Sequence, residues 1–165
     1  MRRAVLALCA PLALSGCIAP GFNDPALDSG RLSARQDATA QLRGVMESWV
    51  AAHRAENAAA IAALYEENGT HSTSQTVTGR TQIEEMFEIW LTGSDNFRIT
   101  DRRFTKQAGF GIETGIATQD IYEPNGDYFG TLQGDYGVLL ALQPDGSWKI
   151  RHLVGGNAAY LPPAP

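Results

Sequence analysis

Residues 110–154 read FGIETGIATQDIYEPNGDYFGTLQGDYGVLLALQPDGSWKIRHLV, and this stretch decides the fold. Its side chains alternate at every second position, the period of a β-strand. By parity Phe110, Ile112, Thr114, Ile116, Thr118, Asp120 and Tyr122 share one face of a strand. Pro124-Asn125-Gly126-Asp127 has turn composition. A second strand places Tyr128, Gly130, Leu132, Gly134, Tyr136, Val138, Leu140 and Leu142 on one face. Pro144-Asp145-Gly146 makes the next turn, and Trp148, Ile150, His152 and Val154 alternate along a last strand.

Upstream the period changes from two to 3.6. Leu42, Val45, Met46, Trp49, Val50 and His53 form one stripe of an amphipathic helix. Asn57 is an N-cap candidate for a short second helix, with Ile61, Leu64 and Tyr65 on its inner side. Thr81 and Glu84 have capping-box spacing and predict a third helix, with Ile83, Met86, Phe87, Trp90 and Leu91 as its stripe. Helices followed by an antiparallel meander predict an α+β domain, three N-terminal helices packed on one face of a curved sheet.

The chain has 165 residues and a net charge of −5, with 44% apolar and 19% charged residues. This composition suits one globular domain with a core. An acidic chain without a basic stripe repels phosphate backbones, which excludes nucleic-acid binding. The two cysteines, Cys9 and Cys17, both precede the folded part. Disulfides, cysteine-ligated zinc and a thiol nucleophile are therefore excluded from the domain. His53, His71 and His152 are scattered and make no metal-ligand spacing, and no cofactor motif occurs. Gly109, Gly111 and Gly115 lie in a strand with no helix following, so they do not make a dinucleotide loop.

The first residues carry a different signal. Arg2 and Arg3 precede an apolar run from Ala4 to Leu14, the length of a signal-peptide core and too short for a membrane span. Leu14-Ser15-Gly16-Cys17 resembles the bacterial lipobox. The resemblance implies cleavage before Cys17 and lipid on that cysteine, with acyl chains worth about 0.8 kcal/mol per buried CH₂ holding the protein at a membrane. Losing Arg2 and Arg3 with the leader takes the net charge from −5 to −7. Ile18 stands where an aspartate favours inner-membrane retention, so the periplasmic face of the outer membrane is the expected location. Residues 17–38, rich in Pro, Gly, Asn and Asp, read as a lipidated tether, and 161–165 as a loose tail around a domain spanning 39–160.

Trp49 to Phe87 resembles the opening of the ketosteroid-isomerase-like, or SnoaL-like, superfamily, which has the nuclear-transport-factor-two fold. The matching residues are Asn57, the run Leu64-Tyr65-Glu66-Glu67-Asn68, then Gly79-Arg80 and Ile83. Gly134-Asp135-Tyr136 and Gln143-Pro144-Asp145-Gly146-Ser147-Trp148-Lys149-Ile150 resemble the closing hairpin of that superfamily. The resemblance covers roughly residues 40 to 157. It implies a cone-shaped cavity, often in a homodimer, and it implies no particular reaction. Extended without gaps, it puts the isomerase base on Thr73, its tyrosine donor on Trp49 and its acidic donor near Tyr136 or Gly137. None of these residues supplies the required group, so steroid isomerisation is not expected.

The expected pocket consists of Trp49, Tyr65, His71, Thr73, Asp120, Tyr136 and His152. His71 and His152 are candidate bases or ligand contacts, with Asp120 or Asp135 as an orienting partner. Each histidine also reads as an ordinary strand histidine, and His53 as a packing residue. Three functions stay open: an envelope lipoprotein binding a small apolar or amphipathic molecule; a cofactor-independent dehydratase, isomerase or cyclase with a histidine base; and a dimeric scaffold with a filled cone.

Overall fold

The computed structural model describes residues 25–161, with side chains of the first helix described at Asp37 and from Thr39 onward. The expected signal peptide, Cys17 and the start of the expected tether lie outside the described residues, as do residues 162–165.

Helix α1 (Pro25–Arg54) leads into a short α2 (Ala58–Ala62). Strands β1 (Tyr65–Ser72) and β2 (Thr76–Thr78) follow, then α3 (Arg80–Trp90) and a 3₁₀ turn at Leu91–Gly93. Four long strands complete the chain: β3 (Ser94–Gln107), β4 (Phe110–Tyr122), β5 (Tyr128–Leu142) and β6 (Trp148–Leu161).

The six strands form one curved, mixed sheet in the order β2-β1-β6-β5-β4-β3. All neighbours are antiparallel except β1 and β6, which run parallel. The expectation of a purely antiparallel sheet is corrected on this point. So is the expectation of three helices ahead of the sheet, because β1 and β2 intervene before α3. Register shifts in β3 coincide with positive φ at Asn96 (54°) and Asp101 (52°), and such bulges bend a sheet around its contents.

Local chemistry accounts for most element ends. Asn57 caps α2 as expected, its side chain accepting from the Ala60 N–H at 2.9 Å. The helix ends at Ala62, however, and Tyr65 opens β1 instead of extending α2. Gly79, at φ 91°, is the N-cap of α3, which puts Thr81 inside the helix and leaves the Thr81–Glu84 box unformed. Helix α1 begins at Pro25, whose fixed φ suits a first helical position. Residues 25–38, expected as tether, are therefore helical; alanine and leucine there outweigh Gly30. Both turns form where expected, with Glu123 N–H to Asp127 O and Gln143 N–H to Ser147 O each at 2.8 Å. Leu161, expected in the tail, is the last residue of β6.

The core sits between the concave sheet face and the helices. Leu42, Met46 and Trp49 of α1 meet Ile83 and Phe87 of α3 and Val138, Leu140 and Ile150 of the sheet. Each such side chain contributes about 1.5–3 kcal/mol on burial. The inward face of β5 is the expected one, but that of β4 is the opposite one. Gly111 and Glu113 are buried, while Phe110 and Ile112 are 41% and 48% exposed. Space decides this. A Cβ on Gly111 would lie 2.6 Å from the Leu42 side chain, so the small residues of β4 face the crowded core.

Candidate functional site

The concave face and the helices leave a cavity of about 390 Å³. Met46 and Trp49 of α1, Trp90 of α3, and Phe97 and Leu153 of the sheet give it a mainly apolar wall. His71, at the end of β1, and Thr73, just beyond it, bring polar atoms to that wall.

His71 is held from behind. Its Nδ1 makes a 2.8 Å hydrogen bond with the Tyr65 hydroxyl, and its ring meets Phe87 and Trp90 edge-on at 5.2 and 5.9 Å. Burial lowers its pKa to about 4, with smaller contributions from His152 and His53. The imidazole is therefore uncharged at neutral pH. Burial raises the Tyr65 pKa far above the ordinary phenol range, against a smaller opposing effect of the neighbouring Trp49 indole, so Tyr65 stays a phenol. Among the described residues three buried polar side-chain atoms lack a hydrogen-bond partner: Trp49 Nε1, His71 Nε2 and Thr73 Oγ1. All three belong to cavity-lining residues.

Of the expected pocket, Trp49, His71, Thr73 and Tyr136 line the cavity. Tyr65 is behind it, fully buried and bonded to His71. Asp120 and His152 are elsewhere. Asp120 falls on the outward face of β4, where it accepts from Thr131 Oγ1 at 2.7 Å and Asn96 Nδ2 at 2.9 Å; these bonds lower its pKa. His152 pairs with Thr70 of β1. The cause is a bulge. Leu139 pairs with His152 and Leu140 with Ile150, so Arg151 is an extra residue that inverts the face of those that follow, up to a second register shift after Gly156. Leu153 enters the cavity in place of His152. Asp135, exposed but also on the cavity lining, is bonded by Asn157 at 2.8 Å. His71, His152 and Asp120 therefore form no common centre. His53 is a packing residue, 3% exposed, stacked against Phe97 at 4.3 Å.

The sequence reading missed a buried ionic group beneath the cavity. Glu113, fully buried, accepts from Arg102 Nε at 2.6 Å, from Arg102 Nη2 at 3.2 Å and from the Tyr136 hydroxyl at 2.6 Å. Burial alone would lower the Arg102 pKa, but the bond and charge of Glu113 outweigh it and the pKa rises. Burial and Glu113 together hold Tyr136 protonated. The Tyr136 ring fits because Gly115, its cross-strand partner, has no side chain; a Cβ there would lie 2.8 Å from the ring. The available signal was Gly111-x-Glu113-x-Gly115, a carboxylate flanked by two residues that leave room for neighbours.

No protein-family profile and no curated protein sequence matches the chain. Solved structures do. A nuclear-transport-factor-two-like protein with a cystatin-like fold from Novosphingobium aromaticivorans superposes with a TM-score of 0.66 at 16% identity, over 87% of this chain and 94% of that one. A protein from the same organism named for scytalone dehydratase gives 0.68 at 13% identity, over 81% and 93%. A ketosteroid isomerase-like protein from Erwinia carotovora atroseptica gives 0.62 at 13% identity, over 75% and 96%. At these identities the likeness is one of fold.

Proposed function

We propose that this chain, with the fold of nuclear-transport-factor-two-like proteins, is a lipid-anchored envelope protein that binds a small, largely apolar molecule in its cavity. The observation that carries the reading is the pairing of an apolar cavity of about 390 Å³ with unpartnered polar atoms on His71 and Thr73. A buried polar atom left without a partner costs about 1–3 kcal/mol, which a ligand that supplies the partner recovers. A mainly apolar cavity with a few fixed polar groups is the usual form of a small-molecule site. The open cavity speaks against a scaffold with a filled cone. The lipid anchor rests on Arg2, Arg3, the apolar run and Leu14-Ser15-Gly16-Cys17.

Native mass spectrometry of the full-length protein purified from its membrane tests the binding reading. A co-purified small molecule that is lost in Trp49→Ala or His71→Ala is the expected result. A ligand-free spectrum, together with no binding of added apolar compounds, would overturn it.

A further inference from the structure

We propose that the ligand is an uncharged molecule with a carbonyl-type oxygen, which accepts a hydrogen bond from His71 Nε2–H and lies within reach of the Thr73 hydroxyl. This rests on the binding reading above and adds the chemical class of the ligand.

The argument starts at Tyr65. This side chain is fully buried, and the only acceptor within hydrogen-bond distance of its hydroxyl among the described residues is His71 Nδ1. If Nδ1 carried the proton and donated to the hydroxyl, the phenol proton would have no acceptor. That arrangement leaves a buried O–H unpaired at a cost of about 1–3 kcal/mol. The arrangement with every group satisfied has the phenol donating and Nδ1 accepting. The nearby Trp49 indole can only donate, so it cannot take the phenol proton instead. An uncharged imidazole carries one proton, and with Nδ1 accepting that proton is on Nε2.

Nε2 is also the nitrogen without a partner, in a side chain 1% exposed that lines the cavity. The cavity therefore offers a fixed N–H donor, and a ligand must answer it with an acceptor. A ligand amine or cation at this position would set donor against donor, and the carboxylate on the lining, Asp135, is already engaged by Asn157 Nδ2 at 2.8 Å. A carboxylate would need a positive charge, and among the described residues no lysine or arginine lines the cavity. Arg102 does not serve, since it is committed to Glu113 and Glu47. What fits is an oxygen with lone pairs and no net charge on an apolar body. Thr73 Oγ1, also unpartnered, can donate to the same oxygen or bond a second polar group. In this tautomer Nε2 has no lone pair to accept a proton, so His71 acts as a donor and not as a general base.

Two measurements on the full chain in detergent test this. The first is nitrogen-15 NMR of labelled imidazoles, with the His71 signal identified by its loss in His71→Gln; an Nε2-protonated ring is expected. The second compares acetylnaphthalene, ethylnaphthalene and naphthoate, which share one skeleton and differ in having a ketone, no polar atom or a carboxylate. The ketone should bind about tenfold more tightly than either other compound, the effect of one well-made hydrogen bond. His71→Phe should abolish that preference, so that ketone and hydrocarbon bind the variant equally. Should His71→Phe fail to fold, the wild-type NMR and compound series still decide. An Nδ1-protonated His71, or equal binding of ketone and hydrocarbon, would overturn this inference and leave the binding reading intact. Binding of none of the three would overturn both.

Discussion

The Tyr65 hydroxyl and His71 Nδ1 lie 2.8 Å apart, and neither side chain is more than 1% exposed. The bond fixes one imidazole nitrogen and turns the other to the cavity. Tyr65→Phe removes only the hydroxyl and leaves Nδ1 buried without a partner. Stability should fall by about 1–3 kcal/mol in chemical denaturation, and cavity binding should weaken although Tyr65 itself does not line the cavity. Unchanged stability and binding would show that the hydroxyl does not position His71.

Acid should destabilise the fold in a defined window. His53 and His71 are both lowered by burial to about 4, whereas an unfolded chain titrates them at 6.5. Below pH 6.5 the unfolded state takes up protons that the folded state refuses until about pH 4. The stability due to the two uncharged rings is thus complete above pH 6.5 and declines as pH falls toward 4. At up to about 1.4 kcal/mol per pH unit per histidine, and half that at pH 6.5 itself, lowering the pH from 6.5 to 5 should cost roughly 3 kcal/mol in all. Denaturation midpoints across this range check it, and His53→Phe should remove about half of the dependence.

Two glycines on the inward face of β4 should respond differently to alanine. At Gly115 the new Cβ would meet the Thr100 carbonyl oxygen at 2.6 Å, which is backbone and cannot step aside. At Gly111 it would meet the end of the Leu42 side chain, which can change rotamer. Gly115→Ala should therefore cost about 1–3 kcal/mol and Gly111→Ala less, measured by thermal or chemical unfolding. The reverse order would contradict the packing described.

The Glu113–Arg102 pair should be asymmetric. Arg102→Ala leaves a fully buried carboxylate with only Tyr136 as partner and should cost about 3–5 kcal/mol. Glu113→Ala should cost less, because Arg102 keeps a contact to Glu47 at 3.4 Å and some solvent. The double replacement Glu113→Leu with Arg102→Met should cost less than the two alanine variants summed. Additive losses would mean that the groups do not act as a pair.

Radiolabelled palmitate fed to cells should enter the wild type and not Cys17→Ala, as the lipobox resemblance requires. Equal labelling of both would rule out acylation at Cys17.

What was legible in the sequence was local. The stripe Leu42, Met46, Trp49 and His53 was readable because a 3.6-residue period reports a helix face directly. Asn57 and the two glycine turns were readable because caps and turns are chemistry between near neighbours. The parallel pairing of β1 with β6 was not, since Thr70 and His152 meet across 82 residues of chain. Nor was the inward face of β4: reading apolar as buried chose Phe110 and Ile112, whereas limited room put Gly111, Glu113 and Gly115 inside. Of the site, Trp49, His71, Thr73 and Tyr136 were found by position and parity. His152 was misplaced by one uncounted residue, and Arg102 went unnoticed because its partner was taken to face outward.

That uncounted residue, Arg151, makes the lining of the cavity depend on arithmetic as well as on chemistry. With the bulge in place Leu153 faces inward and His152 faces outward. Were Arg151 instead to take a regular place opposite Leu139, His152 would fall opposite Val138 and turn a second imidazole inward, with no side chain altered. Register alone, kept or straightened at this bulge, thus separates an oily lining from one that carries two imidazoles.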